Sequence, residues 1–323
     1  MTTADDVLGR LPRALEAVSP HTVRTPVVEL ALPDGSAGVQ VKCEHLQVTG
    51  SFKARGALAK LTAMGAEARE HGLITASSGN HGLGVANALA VLGGHGVVCV
   101  PETASPVKVA AIRRLGVEVR HLGTEGGATE SLARAMAEEQ GLAYVSPYND
   151  LDVVSGQATI GAELLEQTPP DGFDIVVVAV GGGGLISGVA AAIKAQRPGV
   201  RVIGASPAND AAMAASVAAG QVIDIDAVPT LSDGTAGGVE RGAVTFDLCR
   251  ELVDEWILVP EDRIGAGLRL MIDVQHQLVE GAAGVAIAAA LDVARQRPDQ
   301  RVLVISCGAN VSADTVQRAL NAS

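Results

Sequence analysis

Lys53 is the residue of this chain whose surroundings best suit covalent chemistry. The sequence contains five lysines, Lys42, Lys53, Lys60, Lys108 and Lys194. Lys53 lies in the segment Gly50–Ala57, at an apparent loop-to-helix junction. The positive end of a helix, together with partial burial, lowers the pKa of an ammonium group and leaves a neutral amine that can form an imine. A solvated lysine at a helix start is the simpler interpretation of the spacing alone.

A second candidate is the polar segment Thr75–Gly82, which lies between an apolar run and a predicted helix over 83–92. Its seryl hydroxyls, the Asn80 amide and the backbone N–H groups of a helix start could bind a carboxylate. A Ser/Asn cluster that only caps the helix is the alternative interpretation, and it accounts for one or two of these polar residues.

Four successive glycines, Gly181–Gly184, follow an apolar run and precede a predicted helix that begins near Leu185. A backbone without Cβ atoms can approach a ligand closely, and the start of a helix attracts anions, so this turn predicts a phosphate cradle. A side chain at Gly182 or Gly183 is expected to enter the space of the phosphate. The spacing fits neither of the glycine patterns of dinucleotide and Walker-type sites, which favours a small phosphate on a cofactor. A tight strand-to-helix turn without a ligand is the alternative.

The elements that must position these segments alternate between short apolar runs and longer amphipathic ones, a pattern typical of βαβ units and parallel sheets. The predicted strands are Val97–Val100, Val117–His121, Ala143–Ser146, Ile175–Val180, Arg201–Ala205, Trp256–Val259 and Val302–Ser306. The predicted helices are Pro106–Leu115, Ser131–Glu139, Leu185–Gln196, Ala211–Ala219, Glu261–Val279 and Gly284–Arg297. Gln167–Phe173 is the best candidate for a linker. We therefore expect two α/β lobes with a ligand cleft between them.

Composition excludes several classes of protein. The chain has 323 residues, with 24 Lys+Arg against 36 Asp+Glu, and the net charge of −12 argues against binding to nucleic acid or to an anionic membrane. The four cysteines, Cys43, Cys99, Cys249 and Cys307, have no C-x-x-C pairing that would indicate a zinc site or a disulfide framework. The N-terminus lacks the pattern of a signal peptide, and the apolar runs are too short to cross a bilayer. These features predict a cytoplasmic protein without membrane or nucleic-acid partners.

Four segments, taken together and in this order, resemble the fold-type II pyridoxal-phosphate enzymes, specifically the serine/threonine dehydratase and serine racemase group. The matching segments are Glu44–Ala57, Ser77–Gly82, Gly181–Leu185 and Ser306–Asn310. The resemblance implies an α/β fold like that of the tryptophan synthase β subunit, with two open, twisted, mostly parallel sheets, flanking helices and an active site between the lobes. It further implies a large phosphate-binding domain, residues 1–45 and 150–323, and a small substrate-side domain, residues 46–149.

The resemblance also implies a role for individual residues. Lys53 would form the Schiff base with pyridoxal 5'-phosphate and act as the catalytic base, and Phe52 would pack against the pyridine ring. Asn80 would bind the 3-oxygen of the ring, and Cys307 would face the ring nitrogen, where the family usually has Ser. The cofactor phosphate would be bound by the backbone amides of Gly181, Gly182, Gly183, Gly184 and Leu185. The substrate carboxylate would be bound by the loop of Ser77, Ser78, Gly79, Asn80 and His81.

The activity implied is dehydration and deamination of L-threonine, L-serine or a related β-hydroxy amino acid, giving a 2-oxo acid and ammonia. A thiol at the ring nitrogen cannot firmly protonate it, which favours β-elimination over transamination. Serine racemase and 3-hydroxyaspartate dehydratase, of the same fold, are the alternatives, because Ser78 could act on the face opposite Lys53 or simply be a hydrogen-bonding loop residue. A catalytically silent phosphate- or nucleotide-binding module, with Lys53 idle, is an alternative of another class.

Three further expectations concern metal, size and assembly. The racemase-type metal site uses acidic residues where this chain has Ser206 and Ala212, so no metal site is expected. The chain ends soon after Asn310, which resembles catabolic short forms without a C-terminal regulatory domain. The family resemblance implies a homodimer with a small amino acid as substrate. Preference for a particular β-substituent is expected to depend on loops such as Ser146–Asp150 and Ser232–Glu240.

Overall fold

The computed structural model describes residues 2–30, 32 and 38–321 as two sheets with flanking helices. The strands of the larger sheet are β1 (Val27–Leu30), β2 (Val39–Lys42), β7 (Ile175–Ala179), β8 (Arg201–Pro207), β9 (Glu255–Val259) and β10 (Val302–Ile305). Their order in the sheet is β1-β2-β10-β7-β8-β9, and only the β1–β2 pair is antiparallel among the described strands.

The strands of the smaller sheet are β3 (Leu73–Ala76), β4 (Gly96–Val100), β5 (Glu118–His121) and β6 (Ala143–Tyr144). They lie in the order β5-β4-β3-β6, and all the described pairs are parallel. The expectation of two mostly parallel α/β sheets with flanking helices is therefore confirmed.

The helices of the first half are α1 (Ala4–Leu8), α2 (Leu11–Val18), α3 (Lys53–His71), α4 (Asn80–Leu92), α5 (Pro106–Arg113), α6 (Gly126–Gln140) and α7 (Leu151–Gln167). Those of the second half are α8 (Gly184–Gln196), α9 (Ala212–Ala219), α10 (Val244–Leu252), α11 (Glu261–Gln275), α12 (Gly281–Gln296) and α13 (Ala313–Asn321). Short 3₁₀ turns span Ser19–His21 and Glu44–Leu46. No helix within the described part of the chain is long and apolar enough to cross a membrane.

The central strands show why the sequence folds this way. Strands β7 and β10 consist of Ile, Val, Leu and Ala, and every one of these residues is buried. A parallel strand covered by helices on both faces needs apolar side chains on both, so it appears in the sequence as an unbroken apolar run.

Two departures from the predicted elements matter for the site. Helix α11 ends at Gln275, short of the predicted Val279, because His276 adopts a left-handed conformation with φ 54°. Helix α7 was not predicted; Asp150 caps it by accepting hydrogen bonds from the N–H groups of Asp152 and Val153. The predicted linker Gln167–Phe173 is the connection from α7 to β7.

Candidate active site

One cavity brings together residues that follow strands of both sheets. Its lining comprises Phe52, Lys53, Asn80, Tyr148, Ala179, Gly181, Gly182, Gly183, Gly184, Leu185, Gly234, Thr235, Glu280, Ala282 and Cys307. Every residue predicted to bind the cofactor lies in this set. Asn80 follows β3 of the smaller sheet, whereas the glycine turn and Cys307 follow β7 and β10 of the larger one.

Lys53 is the first residue of α3, and its amine faces the cavity. Its Nζ donates a hydrogen bond of 2.8 Å to the carbonyl of Pro147 and lies 5.2 Å from the centroid of the Phe52 ring. Burial lowers the pKa of Lys53 to about 8, although the nearby Glu280 and Glu130 carboxylates oppose the shift. A substantial fraction of this amine is therefore neutral near physiological pH and can act as a nucleophile or a base.

Lys53 also differs from the other lysines in its partner. The other four lysines each form an ion pair with a carboxylate: Lys42 with Glu163 at 2.6 Å, Lys60 with Asp150 at 2.6 Å, Lys108 with Asp233 at 2.8 Å and Lys194 with Asp254 at 2.7 Å. Within the described residues Lys53 has no such pair. Lys53 therefore lacks the paired carboxylate that favours the charged form of an amine, which makes it the lysine best suited to imine chemistry.

A buried charge network, which no local pattern in the sequence indicates, fixes the first turn of α3. Arg55 forms ion pairs with Glu44 at 2.8 Å and with Glu163 at 2.7 Å, and Glu163 also pairs with Lys42. Arg55, Glu44 and Lys42 are fully buried. Removing one member would leave a buried charge without its partner, so the network holds the helix start that carries Lys53 in one place.

The loop before Lys53 is tied to the segment after β10. Phe52 N–H donates to the Cys307 carbonyl at 3.1 Å, and Ala309 N–H donates to the Gly50 carbonyl at 2.8 Å. The Cys307 side chain is buried, and this burial, together with the nearby Glu280, raises the pKa of the thiol well above its usual value. Cys307 is therefore a neutral thiol at physiological pH, facing the same cavity as Lys53.

The glycine turn opens α8, and its conformation requires glycine for a reason that the sequence analysis did not foresee. Gly183 has φ +84°, which other residues rarely adopt. A Cβ at Gly182 would lie 2.4 Å from the Tyr148 ring, and a Cβ at Gly183 would lie 2.8 Å from Cys249 Sγ. These Cβ atoms would therefore collide with packed side chains around the turn, and the prediction that they would also enter the space of the phosphate stays a prediction.

The Ser77–His81 loop lies at the start of α4, as predicted, but only Asn80 of this loop lines the cavity. Gly79 N–H donates to Ser77 Oγ at 3.1 Å, and Ser78 is half-buried. The His81 ring lies 3.1 Å from the Val145 carbonyl through Nε2. Burial, together with the Lys53 charge, lowers the pKa of His81 to about 3, so the neutral ring donates to that carbonyl.

Glu280 is a cavity residue that the sequence analysis missed. Both of its carboxylate oxygens accept hydrogen bonds from Asn80 Nδ2, at 2.8 and 2.9 Å, and Oε1 lies 3.9 Å from Cys307 Sγ. Burial raises the pKa of Glu280 to about 7, although the Asn80 hydrogen bond opposes the shift. The signal in the sequence was a single acid placed between Val279 and the small-residue run Gly281–Gly284.

Asn80 is held on its other side by Asn310. Asn310 Nδ2 donates to Asn80 Oδ1 at 2.7 Å and to the Thr49 carbonyl at 2.8 Å. Asn80 is thus oriented by a residue after β10 and by Glu280 before α12, and its predicted role toward a ring oxygen stays a prediction.

The two loops predicted to control specificity meet at the edge of the cavity. Tyr148, which lines the cavity, accepts a hydrogen bond of 3.0 Å from the N–H of Glu240 through its hydroxyl. Asn149 Nδ2 donates to Glu240 Oε2 at 2.8 Å, and Arg134 of α6 forms an ion pair with the same carboxylate. The loops therefore form one hydrogen-bonded unit beside the site.

Near Ser206, where the sequence analysis considered a metal site, the polar side chains form hydrogen bonds within the protein. Ser206 Oγ donates to the Val180 carbonyl at 2.9 Å, and Asp210 accepts from the Gly237 N–H at 2.8 Å. The described residues contain no group of three His, Cys, Asp or Glu that could hold a metal ion. All four cysteines are buried free thiols.

Comparison with known proteins is consistent with this geometry. A putative threonine dehydratase of Sinorhizobium fredii is 35% identical over 317 residues, which cover 97% of this chain and 95% of that protein. The structure of the processed form of threonine deaminase isoform 2 from Solanum lycopersicum superimposes with a TM-score of 0.92 at 30% identity, covering 99% of this chain and 88% of that one. The structure of maize serine racemase gives a TM-score of 0.88 at 31% identity, covering 99% and 97% of the two chains.

The family model described as pyridoxal-phosphate dependent enzyme matches residues 18–308. This match includes Lys53, the glycine turn and the segment that carries Cys307. The chain belongs to the family of pyridoxal-phosphate-dependent enzymes.

Proposed function

We propose that this protein is an ammonia-lyase that dehydrates and deaminates L-threonine, L-serine or a related β-hydroxy amino acid. The observation that carries the proposal is that one cavity contains Lys53, the glycine turn and Cys307. The Lys53 amine there donates to a backbone carbonyl and has no carboxylate partner among the described residues. Threonine dehydratase and threonine deaminase are the names of two of the proteins that this chain resembles over nearly its whole length.

The donor set of the cavity fits pyridoxal 5'-phosphate. The glycine turn and the start of the 13-residue helix α8 suit the phosphate, since backbone N–H groups and a helix dipole favour an anion. Phe52 and Cys307, which line the same cavity, would offer an apolar ring and a neutral thiol to the pyridine ring. When bound, the cofactor supplies an aldehyde that condenses with amines and a ring that accepts the electron pair left by the α-proton.

Lys53 has two tasks under this proposal, namely holding the cofactor and removing the α-proton. A pKa of about 8, set by burial, leaves the amine partly neutral and so able to take a proton at Nζ. Arg55 and its carboxylate partners keep the start of α3 in position while Nζ changes partner. Loss of the β-hydroxyl as water, followed by hydrolysis, gives the 2-oxo acid and ammonia.

The proposed substrate site is the Ser77–His81 loop. Its N–H groups at the start of α4 suit the substrate carboxylate, and the neutral His81 ring, bound to the Val145 carbonyl, supports the loop from inside. The His81 ring therefore has a structural role. The substrate carboxylate would be bound by the backbone N–H groups and the seryl hydroxyls of the loop.

The direct test is a panel of β-hydroxy amino acids scored for release of 2-oxo acid, with Lys53→Ala as the inactive control. L-Threonine, L-serine and 3-hydroxyaspartate should be compared at saturating cofactor. Release from L-threonine or L-serine by the wild-type protein supports the proposal. Absence of 2-oxo acid from every member of the panel, with the cofactor bound, would reject it.

Serine racemisation is the second candidate, favoured by Ser78 in the loop at the start of α4 and by the likeness to maize serine racemase. Racemisation requires a proton donor on the face opposite Lys53, and a seryl hydroxyl could supply it. Chiral analysis of serine recovered from the reaction separates the two activities: formation of D-serine at a rate equal to or above that of pyruvate would favour racemase.

We also propose a cytoplasmic homodimer built from two domains, residues 1–45 with 150–323 and residues 46–149. The strands of the larger sheet come from the first set and those of the smaller sheet from the second.

The dimer contact is proposed at three exposed apolar side chains, Val23, Leu46 and Val48. They are brought together by the Gln47 side chain, which is hydrogen-bonded to the backbone of Val23, and they suit contact with a second copy. Sedimentation of Leu46→Glu against the wild type tests the dimer: an unchanged mass would reject this contact.

A further inference from the structure

The peptide bond between Gly182 and Gly183 is held from behind the cavity by Thr245. Thr245 is the second residue of α10, it is fully buried, and its hydroxyl donates a hydrogen bond of 2.7 Å to the carbonyl oxygen of Gly182. In a trans peptide the carbonyl and the N–H that follows point in opposite directions. The hydrogen bond therefore directs the Gly183 N–H away from Thr245, and Gly183 itself lines the cavity.

The Gly183 N–H is free to bind a ligand. Among the described residues none accepts a hydrogen bond from it, whereas the Gly183 carbonyl is used by the N–H of Ser187 in the first turn of α8. A buried backbone N–H normally has a partner. An anion in the cavity would be such a partner.

Thr245 itself is held firmly. The N–H of Val244, at the start of α10, donates to Asn149 Oδ1 at 2.9 Å. One turn further on, Cys249 packs so closely that a Cβ at Gly183 would lie 2.8 Å from its Sγ. The hydroxyl is thus presented from a rigid helix to a glycine peptide that, without Cβ atoms on either side, could otherwise turn over and aim its carbonyl at the cavity.

We propose that Thr245 is a positioning residue that sets the direction of the Gly183 N–H for an anionic group in the cavity. Under the proposed function, on which this inference rests, that group is the phosphate of the cofactor. A reversed peptide would place a carbonyl oxygen against the phosphate, so the hydroxyl of Thr245 should matter for phosphate-bearing ligands and not for phosphate-free ones.

The test compares pyridoxal phosphate with pyridoxal, which lacks the phosphate. The cofactor is first removed from the full-length protein, which is then dialysed against graded concentrations of each compound, and the bound fraction is read by absorbance. Thr245→Val removes the donor at nearly constant volume, Thr245→Ser restores it, and Thr245→Ala is a second donor-free variant should Val fail to fold. Thr129→Val is the matched control, since Thr129 is also buried and donates to the Leu122 carbonyl in the smaller sheet's layer.

We expect Thr245→Val and Thr245→Ala to weaken binding of pyridoxal phosphate at least about fivefold, the size expected for one hydrogen bond that fixes a binding group. Binding of pyridoxal should change by less than about twofold, and Thr245→Ser and Thr129→Val should match the wild type for both compounds. Unchanged binding of pyridoxal phosphate by Thr245→Val, or equal weakening of both compounds, would overturn the role of Thr245. Wild-type release of 2-oxo acid is measured in parallel, because its absence would count against the proposed function instead.

Discussion

Replacing Glu280 by Gln should remove a large pH dependence from the stability of the cofactor-free protein. Glu280 is buried between Asn80 and Cys307, and burial raises its pKa from 4.5 to about 7. Between these two values the folded state binds a proton that the unfolded state has lost, so the free energy of unfolding falls as pH rises. At about 1.4 kcal/mol per pH unit, the loss amounts to about 3 kcal/mol across this range and ends above pH 7.

The assay is urea unfolding of the cofactor-free wild type and Glu280→Gln at half-unit intervals from pH 4.5 to pH 8.5. Gln has nearly the same shape and can still accept a hydrogen bond from Asn80, but it cannot titrate. The stability of the variant relative to the wild type should therefore rise by about 3 kcal/mol between pH 4.5 and pH 8 and then stay constant. A difference between the two proteins that does not vary with pH would refute the assignment of a raised pKa to Glu280.

Three other outcomes follow from the site. Ser78→Ala should keep 2-oxo acid formation within about tenfold, or ~1.4 kcal/mol of barrier, while any D-serine production disappears; a thousandfold loss with cofactor bound would make Ser78 essential to elimination. Gly183→Ala should destabilise the cofactor-free protein by about 2–5 kcal/mol in urea unfolding, from its positive φ and the Cys249 contact. Gly199→Ala, where a Cβ meets nothing within 4 Å, should leave the free energy of unfolding nearly unchanged. Equal losses of stability in the two variants would contradict the packing argument. Treatment with EDTA should leave turnover nearly unchanged, because Ser206 Oγ is hydrogen-bonded to the Val180 carbonyl and the described residues contain no group of three His, Cys, Asp or Glu that could hold a metal ion; reversible loss restored by Mg²⁺ would show a metal site.

The parts of the site that could be predicted are those encoded in contiguous segments. The run around Lys53 and the four glycines each combine an unusual residue with a loop-to-helix junction, and both lie in the cavity. Their elements were also predictable, because buried parallel strands such as β7 are unbroken apolar runs.

The parts that could not be predicted depend on contacts between distant segments. Glu280 lies in the connection that begins at His276, whose left-handed conformation ends α11 early, and no Gly or Pro marks that position. The buried pairing of Arg55 with Glu163 joins residues 108 apart in the chain. The collision of a Cβ at Gly182 with Tyr148 likewise exists only once two loops are packed together.

Lys53 is the residue proposed to hold the cofactor, and this assignment can be tested by reduction of the holoenzyme with borohydride. Reduction fixes the cofactor to the lysine that carries it, and mass spectrometry of the peptides then identifies that residue, with Lys53→Arg as the control. We expect the pyridoxyl label on Lys53 and no label in the variant. A label on Lys42, Lys60, Lys108 or Lys194, with none on Lys53, would contradict it.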